Sequence, residues 1–359
     1  MTSAATSASP GANPQLTPSQ AEALAHEHYG LTGTATDLPS ERDRNFRLDC
    51  GAAGTFVLKV FNAAEDEEFV EAQRRVFEVL GGASGRTPAE AATGTATGTR
   101  LSVFPTLVPT TGRAAYSHAV IGETSHALWL MSWLPGRRVA EVSELTRPLL
   151  HDIGTVLGGL DTVLARNPQA AARRTFVWAP QTAPDVIAGN LRLLRGEQRE
   201  LVAGALRDFD ARVRPRLGAL RVSLIHNDVN DYNLLVEGDR VTAVLDFGDM
   251  LEAYTVCDLA HLLAYLLLDR DDPLAIAAGV AAGYQSVFPL TSVELESLYD
   301  FVRLRLALSV TLSALQQSAR PDDPYLSISE EPAWRLLARL ADEPLRARFQ
   351  AAVLTVAGA

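Results

Sequence analysis

The chain holds only two cysteines, Cys50 and Cys257, in 359 residues. Their spacing matches no thiolate metal site, so they are expected to be free thiols in a reducing cytoplasm. No run of Lys or Arg is long enough to follow a phosphate backbone, and the net charge is -11 with a pI near 5.2. No nucleic-acid partner is expected. The opening stretch MTSAATSASPGANPQ lacks both a basic segment and an apolar core, so no export signal is expected there. The longest apolar run, LAHLLAYLLL from Leu259 to Leu268, is too short to span a bilayer, contains His261 and reads as a buried helix. No membrane association is expected, and no internal repeat is visible.

What remains is a chain that is 47% hydrophobic, long enough to bury one large core or two ordinary ones. Residues 1–16 carry little that is apolar and are expected to form a disordered tail. From Thr17, TPSQAEALAHEHYG predicts a helix with Thr17 as N-cap, Pro18 in the first turn and Gly30 as the stop. Two strand candidates follow, NFRLDC and GTFVLKVF, and then a helix with Phe69, Ala72, Val76 and Leu80 on one stripe. The Gly, Ala and Thr-rich stretch over about 81–100 predicts a mobile surface insertion. A second pair of strands, RAAYSHAVIG and HALWLMSWL, ends at Pro135-Gly136, beyond which helical patterns dominate. The expectation is an α+β protein with a small β-rich N-lobe over 17–134 and a larger, mainly helical C-lobe over 135–356.

The densest polar stretch interrupts the second part. In LIHNDVNDYNLLV, running from Leu224 to Val236, His226, Asp228, Asn230, Asp231 and Asn233 lie between apolar, strand-like ends. Thirteen residues after Asn233 comes VLDFGD, with Asp246. Two successive strand-loop units place Asp228, Asn233 and Asp246 as oxygen donors able to converge on a hard divalent cation. Mg²⁺ in particular binds through one or two carboxylates together with substrate phosphates.

HNDVNDYN followed by DFGD resembles the paired catalytic and metal-binding motifs of the protein-kinase-like phosphotransferases, in the aminoglycoside phosphotransferase and choline kinase branch. LPSERDRNFRL together with HNDVNDYN is similar, more narrowly, to the hydroxylysine kinase group and to the kinase-like domain fused to class III aminotransferases. The resemblance runs from about Gln20 to the helix bearing Arg305. It implies a two-lobed kinase-like fold, a nucleotide donor (ATP or GTP) and Mg²⁺. It makes Asp228 the catalytic base, with Asn233 and Asp246 on the metal. His226 and Asp258 then support the catalytic loop. In the N-lobe it points to Lys59 on the nucleotide phosphates, Ser40, Arg42 and Asn45 in the loop above them, and the backbone of Ser132 and Leu134 at the adenine hinge. Lys59 needs a partner inside its apolar strand. The helical wheel selects Gln73 where relatives carry a glutamate, and the phosphate loop lacks glycine; both depart from the family pattern.

The acceptor is the least legible part. Asp249, Glu252 and Asp258 are acids that an ammonium group would suit. Arg303 and Arg305 offer a bidentate site for a carboxylate, or serve as structural partners of those acids. Asp249 reads equally as a cap. Trp178, in TFVWAP, precedes Ala179 where relatives often carry an aspartate. The expected activity is phosphorylation of the hydroxyl of a small amino alcohol or hydroxy amino acid. An aminoglycoside kinase and a non-catalytic nucleotide-binding module remain as alternatives.

Overall fold

The computed structural model describes residues 13–40, 42–81, 95–96, 99–319 and 330–357. Most of the expected N-terminal tail and most of the expected insertion over 81–100 lie outside the described residues. The chain divides into two compact units, Met1–Gly94 with Leu101–Pro135, and Thr95–Arg100 with Gly136–Ala359.

The first unit opens with α1 (Pro18–Tyr29), started by a reciprocal capping box. The Thr17 hydroxyl accepts the N–H of Gln20, and the Gln20 side chain accepts the N–H of Thr17. Gly30 ends the helix at φ 66°, a left-handed conformation that costs glycine nothing. Leu16, placed by sequence in the tail, is instead buried in the core beneath α1. Strands β1 (Thr34–Leu38), β2 (Arg44–Asp49) and β3 (Thr55–Val60) follow, then α2 (Glu67–Leu80). After the short hairpin β4 (Thr95–Ala96) and β5 (Thr99–Arg100), which belongs to the second unit, come β6 (Leu107–Val108), β7 (Ser117–Ile121) and β8 (Thr124–Ser132).

The sheet is antiparallel in the order β1-β2-β3-β8-β6, with β7 also paired to β8. Period-two alternation divides its side chains. Phe46, Leu48, Leu58, Val60, Leu128 and Leu130 form one core with Ala21, Ala25 and Tyr29 of α1. Between them in sequence, Trp129 packs edge-on against Phe61 and against Phe77 of α2, with centroids 4.6 and 5.6 Å apart. Lys59 lies opposite Trp129 in the strand register and so shares its face. Strand β1 escaped the sequence reading because only Ala35 along it is buried, which leaves no apolar run to notice.

The second unit comprises β9 (Arg137–Arg138), α3 (Arg147–Ala165), α4 (Ala183–Asn190), α5 (Gly196–Arg212), β10 (Val222–Ile225), β11 (Leu234–Glu237), β12 (Arg240–Val244) and β13 (Leu251–Tyr254). It is completed by α6 (Val256–Leu266), α7 (Pro273–Gln285), α8 (Ser292–Ala319), α9 (Glu330–Arg339) and α10 (Glu343–Ala357). β10 pairs with β13, while β11 lies between β12 and β9. The polar segments 226–233 and 245–250 are thus loops whose two ends are each held by a strand.

Helices α3 and α7 approach through glycines. A Cβ on Gly154 would overlap the carbonyl oxygen of Val280, and one on Gly283 would overlap that of His151. Gly154→Ala is therefore expected to lower unfolding free energy by about 3 kcal/mol, the cost of forcing packed backbones apart. Gly189→Ala in α4, where a Cβ would meet nothing within 4 Å, is expected to be neutral or mildly stabilising. Urea denaturation of the two variants measures the contrast.

Candidate active site

The loop after β10 is fixed first by a carboxylate from α6. Asp258 accepts the backbone N–H of His226 at 2.8 Å on one oxygen and that of Asn227 at 2.7 Å on the other. All three residues are buried. The loop bends there because Asn227 adopts φ 65°, a left-handed conformation that asparagine tolerates better than most residues. Beneath Asp258, Tyr284 donates its hydroxyl proton to Asp161, which is fully buried. Burial, reinforced by the neighbouring Asp258, pushes the Asp161 carboxyl well above the usual carboxylate range.

His226 joins the two polar loops. Its Nε2 lies 3.0 Å from the Leu245 carbonyl, and its Nδ1 accepts the N–H of Asp228 at 3.2 Å. That pattern puts the proton on Nε2 and a lone pair on Nδ1. The ring also packs on Phe247, centroids 4.5 Å apart, and Leu245 N–H donates to the Asn233 carbonyl at 2.9 Å.

Asp228 stands at the centre of this frame. Asn230 Nδ2 donates to its Oδ1 at 3.0 Å and Asn233 Nδ2 to its Oδ2 at 2.8 Å. Asn230 Oδ1 in turn accepts the N–H groups of Tyr232 and Asn233, closing the loop. With its amide nitrogen turned to Asp228, Asn233 presents an Oδ1 that accepts no hydrogen bond among the described residues. Asp246 begins the turn Phe247–Asp249 at φ 58°, accepts the N–H of Gly248 and is exposed. A quarter of the Asp228 side chain remains accessible. Its carboxyl is nonetheless pushed up to about 6, by burial first and then by the negative charge of Asp246, with Arg305 pulling the other way.

His261 of α6 was read from sequence only as part of a buried helix. Its Nε2 lies 3.4 Å from Asp228 Oδ1 and 3.5 Å from Arg305 Nη2. Burial holds it well below the usual histidine range, so the ring is neutral. Arg305 stacks over the rings of Trp178 and Tyr265, 4.5 and 5.5 Å from their centroids. Trp178, His261 and Arg305 therefore form one cluster beside Asp228. Arg303 belongs elsewhere: it is ion-paired with Asp208. Two of the acids considered for an ammonium group are also accounted for. Asp258 is sealed under the loop, and Glu252 pairs with Arg173 at 2.9 Å. Asp249 is half-buried at the end of its turn.

In the first unit, Lys59 Nζ lies 2.8 Å from Asp43 Oδ2. Asp43 was not singled out from sequence, yet it organises the glycine-free loop between β1 and β2. Its Oδ1 accepts the N–H of Asn62, its own N–H donates to Ser40 Oγ, and Asn62 Nδ2 donates to the Arg42 carbonyl. Asn45 stands directly opposite Lys59 in the β2–β3 register. Gln73 is buried in α2, with Nε2 lacking a partner among the described residues. The Ser132 hydroxyl accepts the N–H of Thr106, and Leu134 follows, half-buried, just before Pro135. Lys59 is the only lysine in the chain; the other 31 of its 32 basic Lys and Arg residues are arginines.

Residues 34–304 match the model of the phosphotransferase enzyme family, and the chain belongs to that family. Over 357 residues it is 30% identical to the hydroxylysine kinase of Danio rerio, covering 94% of this chain and 96% of that protein. Identity to the hydroxylysine kinase of Mus musculus is 29% over 361 residues, covering 92% and 91%. Among solved structures, a microcompartment-associated aminopropanol kinase superposes with a TM-score of 0.68 at 18% identity, covering 90% of this chain and 97% of that one. Amicoumacin kinase hAmiN, in complex with AMP-PNP, Ca²⁺ and Ami, superposes with a TM-score of 0.65 at 14% identity, covering 89% and 93%. The fold is the protein-kinase-like fold, a β-rich N-terminal part and a mainly helical C-terminal part.

Asp258→Ala would leave two adjacent buried N–H groups without an acceptor. It is expected to lower stability by about 3 kcal/mol, read by urea denaturation. In the metal-free protein, ¹³C NMR of the Asp228 carboxyl is expected to show a midpoint near pH 6. The ionised, proton-accepting form is then the one lost as pH falls through that value. A midpoint near 4 would mean that burial is not felt there.

Proposed function

We propose that the protein is an ATP-dependent kinase that phosphorylates the hydroxyl of a small hydroxy amino acid or amino alcohol, with 5-hydroxylysine the first acceptor to try. One observation carries the reading. Asp228 is held by the side-chain amides of Asn230 and Asn233, its carboxyl is poised near 6, and it lies in a chain whose curated relatives are hydroxylysine kinases.

In this mechanism Asp228 orients the acceptor hydroxyl and takes its proton as the oxygen attacks the terminal phosphoryl group. Its two amide donors fix which lone pair faces the substrate. Asn233 Oδ1 and the Asp246 carboxylate would hold Mg²⁺. The donor set fits: two protein oxygens, one of them anionic, suit a cation that keeps water and phosphate oxygens for its other positions. When bound, Mg²⁺ neutralises charge on the nucleotide phosphates. Lys59, steadied by Asp43, supplies a compact positive charge for those phosphates, and Ser40, Arg42 and Asn45 lie in or beside the loop assigned to them. Gln73 has an unpartnered amide nitrogen to offer on α2, in place of a charge. The main chain at Ser132 and Leu134 serves the adenine ring. His226 and Asp258 hold the loop without touching substrate. Free cysteines at 50 and 257 suit a reducing cytoplasm.

Asp228→Asn is expected to lower turnover about 10³-fold while nucleotide affinity is retained, and Asp246→Ala to abolish Mg²⁺-dependent nucleotide binding. ADP release across hydroxylysine, homoserine, ethanolamine, choline and aminoglycosides, with calorimetric nucleotide binding, tests both. Full activity in the Asp228 variant would remove it as the base, and aminoglycosides as the sole acceptors would replace the proposed substrate class. Because Lys59 is the only lysine, an amine-acylating reagent should modify one internal site, and Mg²⁺-nucleotide should slow that modification. Equal rates with and without nucleotide, by intact-mass analysis, would place Lys59 off the phosphates.

A further inference from the structure

Several arginines of the second unit have a carboxylate partner. Arg346 pairs with Asp300 at 2.6 Å, Arg221 with Glu294 at 2.6 Å, and Arg303 with Asp208. Arg305 differs. Among the described residues it has no carboxylate within ion-pairing distance, and its polar contacts are long: the Trp178 carbonyl at 3.4 Å, the Tyr265 hydroxyl at 3.4 Å and His261 Nε2 at 3.5 Å. Its Nε is buried without a partner. A guanidinium that is positioned by aromatic faces but whose donors are poorly used is pre-organised for an anion from outside the chain.

The pocket beside it supports this. Arg305 lines a pocket together with Asn227 and His261, and with an apolar wall that includes Phe301 and Leu304. Two more buried side-chain nitrogens without partners belong to residues that line it: Asn227 Nδ2, on a residue 2% exposed, and His261 Nδ1, also on a residue 2% exposed. An unpaired buried polar atom is costly, and here Asn227, His261 and the guanidinium line one pocket. No acidic residue lines it. His261 Nε2 touches both Arg305 and Asp228, so the pocket opens within one imidazole of the proposed base.

We infer that this pocket, through Arg305 and Asn227, is the receptor for a carboxylate of the acceptor. The substrate is then a hydroxy amino acid rather than a simple amino alcohol. A planar carboxylate matches the guanidinium fork, the Asn227 amide supplies a third donor, and the apolar wall accommodates a short carbon chain. The inference rests on the kinase reading for the position of the hydroxyl at Asp228, but the anion site stands on its own contacts.

The experiment compares two acceptors that differ only in the carboxylate, 5-hydroxylysine and 1,5-diaminopentan-2-ol. They are assayed with the wild-type protein and with Arg305→Gln, Arg305→Lys and Asn227→Ala. Alongside, calorimetry follows binding of L-lysine, which has the carboxylate and no hydroxyl. The wild type is expected to favour hydroxylysine about 100-fold in kcat/KM. That ratio should collapse to a few-fold in Arg305→Gln and recover only in part in Arg305→Lys, which keeps the charge and loses the fork. L-lysine should bind the wild type, lose binding in Arg305→Gln and weaken in Asn227→Ala, with thermal melts confirming that each variant is folded. Equal use of the two acceptors by the wild type, or equal loss of both in Arg305→Gln, overturns the carboxylate site and leaves the kinase intact. Arg305-dependent lysine binding without turnover of either acceptor keeps the site and removes the kinase reading. No lysine binding to the wild type overturns the site outright.

Discussion

The interaction on which the second unit depends is the pair of hydrogen bonds from consecutive backbone N–H groups to the buried carboxylate of Asp258. Everything described around Asp228 follows from it. Fixing His226 and Asn227 sets where the loop leaves β10, which brings the His226 ring onto the Leu245 carbonyl and so ties the loop to the turn that holds Asp246. With the two loops joined, Asn230 and Asn233 can both reach the Asp228 carboxylate. The polar density of the sequence here is thus mostly internal scaffolding, with a small remainder facing outward: one edge of Asp228, the Asn233 oxygen and Asp246.

The first unit solves a similar problem with fewer residues. A lysine on an apolar strand face must be held without being neutralised beyond use. Asp43 does this from a short loop that is itself anchored by Asn62 and Ser40. The chain prefers arginine at every other basic position, and the exception is informative. A compact ammonium fits beside Phe61 and Asp43, where a planar guanidinium would need a wider seat and would bring a fixed fork of donors.

Legibility in the sequence followed the kind of signal each feature leaves. The first helix was readable to the residue because Thr17, Pro18 and Gly30 each have a local backbone role. The loops bearing Asp228 and Asp246 were readable because strand, polar cluster and strand occur in order. Asp43, Asp161 and His261 were not assigned to a site, since their importance lies in what reaches them from far along the chain: Lys59, Tyr284 and Asp228 respectively. The available signal was the same in the last two cases, a single polar residue inside an otherwise apolar helical stretch. The sequence reading named Arg303 beside Arg305 as able to bind an acceptor carboxylate. Two residues apart on a helix, they point in different directions, one to Asp208 and the other to Trp178.

The Asp161 carboxyl has a further consequence. Because burial and Asp258 raise its affinity for a proton in the folded state, the folded protein binds that proton where the unfolded chain would have released it. The stability it contributes is whole in acid, at or below the ordinary carboxyl range, and drains away as pH rises towards the folded-state value. The buried packing beneath the Asp258 loop is therefore sensitive to pH although it lies away from solvent.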